Sequence, residues 1–144
     1  MVLLVLIDQV SKFYSFLLVD QQNVSLNRFF DIISVENRGV SFGIFGKFSY
    51  ANDVFIVVNT LFTLLLVSML FYQKSFYDRF TISLMISGAI GNLIDRFIFG
   101  AVRDFLDFHA FGFHFPTFNF ADSLLFLGVA MHFIRFLYIH IKRL

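Results

Sequence analysis

The chain has 144 residues, 58% of them hydrophobic and only 15% charged, and its mean hydropathy is +0.80. That composition excludes an ordinary soluble domain and marks a single-domain integral membrane protein. A net charge of +1 with no basic cluster leaves no footprint for nucleic acid, and the absence of cysteine removes disulfides, thiolate catalysis and Cys-ligated metal centres.

Four segments approach the roughly 20 apolar residues that cross a bilayer core. The expected fold is mainly α and integral to the membrane: four transmembrane helices with a small extracytoplasmic β-rich cradle. The first span, about residues 1–19, lacks the basic start and small-residue cleavage site of a signal peptide and is interrupted by Asp8 and Lys12. These two are four apart, in the acid-before-base order that favours contact along a helix. Asp8 can be explained by that pairing or by pointing into a site, and spacing leaves both readings open.

A polar insertion follows, about residues 20–53, with strand-like composition from Phe29 to Glu36 and glycines at 39, 43 and 46. It reads as a small β-rich subdomain lying on the membrane. The second span, about 54–72, carries no charge. The third, about 80–99, contains Asn92, Asp95 and Arg96 near its end, and the fourth runs from about 121 to 141. A polar link, residues 100–119, joins these two on the same side as the insertion. Lys74, Arg79, Lys142 and Arg143 favour cytoplasmic termini, although Arg28, Arg38, Lys47 and Arg103 fall on the proposed outer side. There is no internal repeat of the transporter kind.

Asp104 and Asp122 flank the entry of the last span, where a carboxylate is costly unless paired, watered or functional. Facing one site, they would share a proton; one carboxylate could then take a proton from water while its protonated partner polarises a carbonyl. Asn119 and Asp122 also have the spacing of an acidic capping box, which explains both without catalysis and is compatible with it. Asn92, Asp95 and Arg96 lie three and four apart on the third span. Asp95 and Arg96 either form interfacial charge pairs, or Arg96 and Asn92 hold the catalytic carboxylates or the substrate backbone by hydrogen bonds. Glycines 88 and 91 permit close helix approach. His109 and His114, beside Asp107 and Asp104, are expected in a loop and match no His-x-x-x-His pattern, so no metal site is expected. No serine sits in a Gly-x-Ser-x-Gly setting.

Four stretches together resemble the lipoprotein signal peptidases, or signal peptidase II family: Asp8 to Lys12, Asn37 to Gly43, Gly91 to Arg96 followed by Val102 to Phe105, and Phe115 to Ser123. The resemblance implies a four-helix aspartyl peptidase of the bacterial inner membrane, active near the extracytoplasmic face. Such an enzyme removes the signal peptide from a diacylglyceryl-modified prolipoprotein, cutting just before the lipidated cysteine, without a cofactor. It further implies Asp104 and Asp122 as the catalytic pair, with Asp8, Lys12, Asn37, Gly39, Asn92, Arg96 and Asn119 as supporting or substrate-contacting positions. Its expected partners are the prolipoprotein, membrane lipids and a cyclic depsipeptide inhibitor lodged between the aspartates, and the expected state is a monomer. Two departures stand out: Ser87 replaces a frequent glycine, and only seven residues precede Asp8, as a truncation or late start would leave. The rival readings are a small proton- or ion-coupled membrane transporter and a structural membrane protein whose polar residues lock helices together.

Overall fold

The computed structural model describes residues 1–19, 23–39 and 51–142. The elements in order are α1 (Val2–Leu18), β1 (Val24–Asn27), β2 (Phe30–Asn37), α2 (Ala51–Tyr72), α3 (Phe76–Phe99), β3 (Val102–Ala110), β4 (Phe113–His114) and α4 (Phe120–Ile141). The expected glycine punctuation at 43 and 46 lies outside the described residues.

Helix α1 is built inside out. Asp8, Lys12 and Ser15 recur on one face and are buried, while Leu3, Leu6, Val10, Phe13 and Leu17 are exposed. In water such an arrangement would forfeit most of the apolar burial that drives folding; against lipid it costs nothing. Helices α2, α3 and α4 are each long and apolar enough to cross a membrane, and α1, at 17 residues, is shorter.

Helix α3 is the axis, touching all three other helices. Leu66 of α2 packs with Ile82, Met85 and Ile86 of α3 in the apolar core. Glycines set the closest approaches. A methyl at Gly91 would lie 2.5 Å from Asp8 Oδ2, and one at Gly88 would run into the Ala121 carbonyl. Ser87 fits the same crowded face because its hydroxyl donates to the Ser83 carbonyl at 2.7 Å, within its own helix. The helix starts at Phe76, earlier than hydropathy suggests, because Asp78 is neutralised by Arg135 of α4 at 3.0 Å.

Gly100, with φ +69, ends α3 in the left-handed cap that glycine adopts without strain, and the chain leaves directly into β3. The segment 100–119, expected only as a link, therefore supplies two strands. All pairings are antiparallel in the order β1-β2-β3-β4, with Asp31 opposite Asp107, Val35 opposite Asp104 and a bulge between Ile32 and Val35. Strand β3 is buried from Val102 to Phe105 because α1, β2 and α3 all meet it.

Candidate active site

The site forms where α3 stops, β3 begins and α4 starts. Asn119 is the N-cap of α4: its Oδ1 accepts from the Asp122 N–H at 2.9 Å, and Asp122 Oδ2 accepts from the Asn119 N–H at 3.2 Å. This capping box fixes both side chains. The Asn119 amide then donates to Asp104 Oδ1 at 2.7 Å and to Asn92 Oδ1 at 3.1 Å. Asn92 donates to Asp122 Oδ1 at 2.7 Å and accepts from Lys12 Nζ at 3.1 Å. The other oxygen of Asp104 accepts from Asn37 Nδ2 at 2.9 Å.

Asn37 is itself held. Its Oδ1 accepts from the Gly39 N–H at 2.9 Å, and Gly39 sits at φ +88 with the Phe55 ring filling the space a side chain would need. The spacing Asn-x-Gly is thus a turn that aims an amide at Asp104. Both carboxylates belong to one amide-linked cluster. Among the described residues, neither is in an ion pair. Burial pushes the Asp104 carboxyl up to about 6; donation from Asn37 pulls the other way, and the nearby Asp122 charge raises it further.

A second network lies beneath. Lys12 Nζ sits 2.9 Å from Asp8 Oδ2 and 3.1 Å from Asp95 Oδ2, all three side chains fully buried. Asp95 Oδ1 meets an Arg103 nitrogen at 2.8 Å, and its Oδ2 accepts from the Arg103 backbone N–H at 2.9 Å. Two carboxylates are balanced by two cations. Asp8 pairs with Lys12 and also accepts from the Ala121 N–H at the start of α4 at 2.9 Å.

Asp95 and Arg96 do not form a pair. Consecutive helical residues point about 100° apart, and Arg96 turns towards α2, donating to Asn52 Oδ1 at 3.4 Å with its guanidinium 4.8 Å above the Phe55 ring. Among the described residues Arg96 donates to neither candidate carboxylate and faces them as a nearby positive charge. His109 and His114 are not in a loop either. They are opposed on β3 and β4, with Asp107 beside them.

Cavities flank the cluster. One of about 470 Å3 is lined by Phe115, Phe118, Asp122, Ser123, Phe126 and Leu127 and is almost wholly apolar apart from the carboxylate. Another, of about 240 Å3, lies between α2, α3 and α4 and is bordered by Phe55, Asn59, Asn92 and Arg96. A carboxylate at the edge of a greasy groove, backed by rigid amides, is equipped for acid and base chemistry on a polar bond presented by an apolar molecule.

The family model described as signal peptidase (SPase) II matches residues 1–138. The chain belongs to the signal peptidase II family. It is 39% identical over 142 residues to the lipoprotein signal peptidase of Thermodesulfovibrio yellowstonii, covering 98% of this chain and 91% of that one. It is 40% identical over 129 residues to the lipoprotein signal peptidase of Anaplasma marginale, covering 89% and 76%. A solved structure described as a bacterial membrane enzyme superposes with TM-score 0.78 at 33% identity, covering 95% of this chain and 84% of that one. A second, also described as a bacterial membrane enzyme, gives 0.79 at 32% identity, covering 94% and 88%. Membership of this family makes the protein a membrane-embedded protease.

Within this signal peptidase II chain, sequence reasoning passed over Gln9, which donates to the Gly91 carbonyl at 3.0 Å and accepts from Arg103 at 3.0 Å, and Asn52. Gln9 stood inside a recognised motif. Asn52 lay before the assumed start of its span, where hydropathy gives no signal.

Proposed function

We propose that the protein is an intramembrane aspartyl endopeptidase that removes the signal peptide from diacylglyceryl-modified prolipoproteins, cleaving just before the lipidated cysteine. The observation that carries this reading is the Asn119 side chain, which links Asp104 and Asp122 in one amide-held cluster beside an apolar cavity. Asp104, whose carboxyl keeps its proton to about pH 6, is the acid that polarises the scissile carbonyl. Asp122, accepting two N–H bonds at a helix N-terminus, is the base that takes a proton from water. The proton gained by Asp122 and the one lent by Asp104 return to the leaving amine and the pair, so the cycle closes without a cofactor.

Asn92, Asn119 and Asn37, the last through Gly39, hold the two carboxylates; Asp8 and Lys12 anchor α1 and the start of α4 behind them. Arg96 offers its charge to the substrate side of the smaller cavity. The diacylglyceryl tails occupy the apolar groove at Phe115 to Leu127, which keeps the scissile bond near the headgroups and replaces a bimolecular search by a positioned attack. In this reading α1 is a fourth span, both termini are cytoplasmic in the bacterial inner membrane, the sheet lies on the extracytoplasmic face, the working unit is a monomer and a cyclic depsipeptide inhibitor binds between the aspartates.

The test is signal-peptide release from a diacylglyceryl-modified prolipoprotein in proteoliposomes with chelator present. Cleavage by wild type, lost in folded Asp104→Asn and Asp122→Asn, is the expected result. Cleavage surviving either substitution contradicts the mechanism, and no cleavage by folded wild type favours the ion-coupled transporter instead.

A further inference from the structure

Side chains alternate along a strand, so Asp107 points to the opposite face of β3 from Asp104. On that far face it is joined by residues of three adjacent strands: Asp31 of β2 directly opposite, His109 two residues along, and His114 of β4 opposite His109. The pairing sets like against like. Two carboxylates opposed across neighbouring strands repel unless something positive lies between them. Among the described residues, no lysine or arginine bridges either one.

One of the contacts is a hydrogen bond and the other two are wider. His114 Nδ1 is 2.8 Å from Asp107 Oδ2, while His109 Nδ1 is 3.6 Å from the same oxygen and 3.9 Å from Asp31 Oδ2. One ligand atom from each of Asp107, His109 and His114 lies within 4.8 Å of the others; Asp31 borders this group through His109 alone. Asp31 Oδ1 and His109 Nδ1 are both buried without a hydrogen-bond partner. Four ligands at about 2.0–2.1 Å around a tetrahedral zinc ion stand roughly 3.3–3.5 Å apart. The two wider separations are too long for hydrogen bonds and close to that spacing.

We propose that Asp107, His109 and His114, with Asp31 as the fourth ligand, form a site for a divalent cation of the Zn2+ class, unconnected with the peptidase chemistry. Two imidazoles and two carboxylates are the donor set such an ion takes, and the ion supplies the charge that the opposed aspartates lack. Bound there, it would tie β2, β3 and β4 together on the face behind Asp104. The site is independent of the proposed reaction.

The experiment uses the full chain in detergent micelles with any affinity tag removed. Zn2+ is titrated by calorimetry, Co2+ by its visible absorption, and the unfolding temperature is followed with and without Zn2+. Wild type should bind one equivalent, show the intense bands of four-coordinate Co2+ and unfold at a higher temperature with Zn2+. His109→Ala/His114→Ala, folded by circular dichroism, should bind at least about tenfold more weakly and lose the thermal shift. Asp104→Asn/Asp122→Asn should keep both. No binding by folded wild type, equal binding by the histidine variant, or loss in the Asp104/Asp122 variant instead would each overturn the proposal.

Discussion

Two adjoining acidic networks in this protein, one fully buried and one reaching a cavity at Asp122, differ in what holds them. In the lower one Asp8 and Asp95 are locked to Lys12 and Arg103 at 2.8 to 3.1 Å. In the upper one Asp104 and Asp122 are held by the amides of Asn37, Asn92 and Asn119. A cation at salt-bridge distance occupies a carboxylate's oxygens and ties it to one partner; an amide fixes the position of a carboxylate without adding a charge. The same residue type is structural in one layer and chemically available in the other.

The sharpest break in that contrast comes from the upper layer. Asp104→Asn or Asp122→Asn should lower cleavage by about 10³-fold or more, read as release of signal peptide at saturating substrate. Next is the lower layer, where Lys12→Ala leaves buried Asp8 without a cation and Asp95 with Arg103 alone, and should cost about 3–5 kcal/mol of stability in chemical unfolding in micelles.

Protonation of Asp104 gives a smaller, signed effect. Its folded pKa, about 6, lies above the ordinary 3.8, so the folded state holds a proton that the unfolded state releases. This contribution to stability is complete below about pH 4 and is lost as pH rises through about 6, on the order of 2–3 kcal/mol in all. Asp104→Asn should flatten the stability profile across that window, and kcat/KM of the wild type should fall as pH rises above about 6. Smallest is Asn119→Ala: loss of the cap should cost about 1 kcal/mol, while cleavage falls about 10- to 100-fold because Asp104 and Asp122 are no longer tied. A rate loss no larger than the stability loss would make Asn119 a cap and nothing more.

How much of this was legible in the sequence follows from the range over which each interaction acts. The Asp8 and Lys12 contact and the Asn119 and Asp122 capping box are local and could be written from spacing alone. The partner of Asp95 could not be, because Arg103 reaches it only after Gly100 reverses the chain at the end of α3. Strand β3 was hidden for a related reason: buried on both faces from Val102 to Phe105, it lacks the alternation that announces a strand. The opposition of His109 and His114 depends on the two-residue turn at Phe111 and Gly112, both at positive φ. Gly112 was the one available sign of it, and the Phe-Gly pair is not the Asn-Gly that usually marks such a hairpin.

One comparison reaches the centre of the account: Asp104→Asn, Asp122→Asn and Asp95→Asn measured together for prolipoprotein cleavage and for unfolding midpoint. The first two should lose cleavage without any fall in midpoint, whereas Asp95→Asn, stripping Lys12 and Arg103 of a shared partner, should lose about 3–5 kcal/mol of stability. Cleavage retained by Asp104→Asn or Asp122→Asn, or an Asp95→Asn protein as stable as wild type, would contradict it.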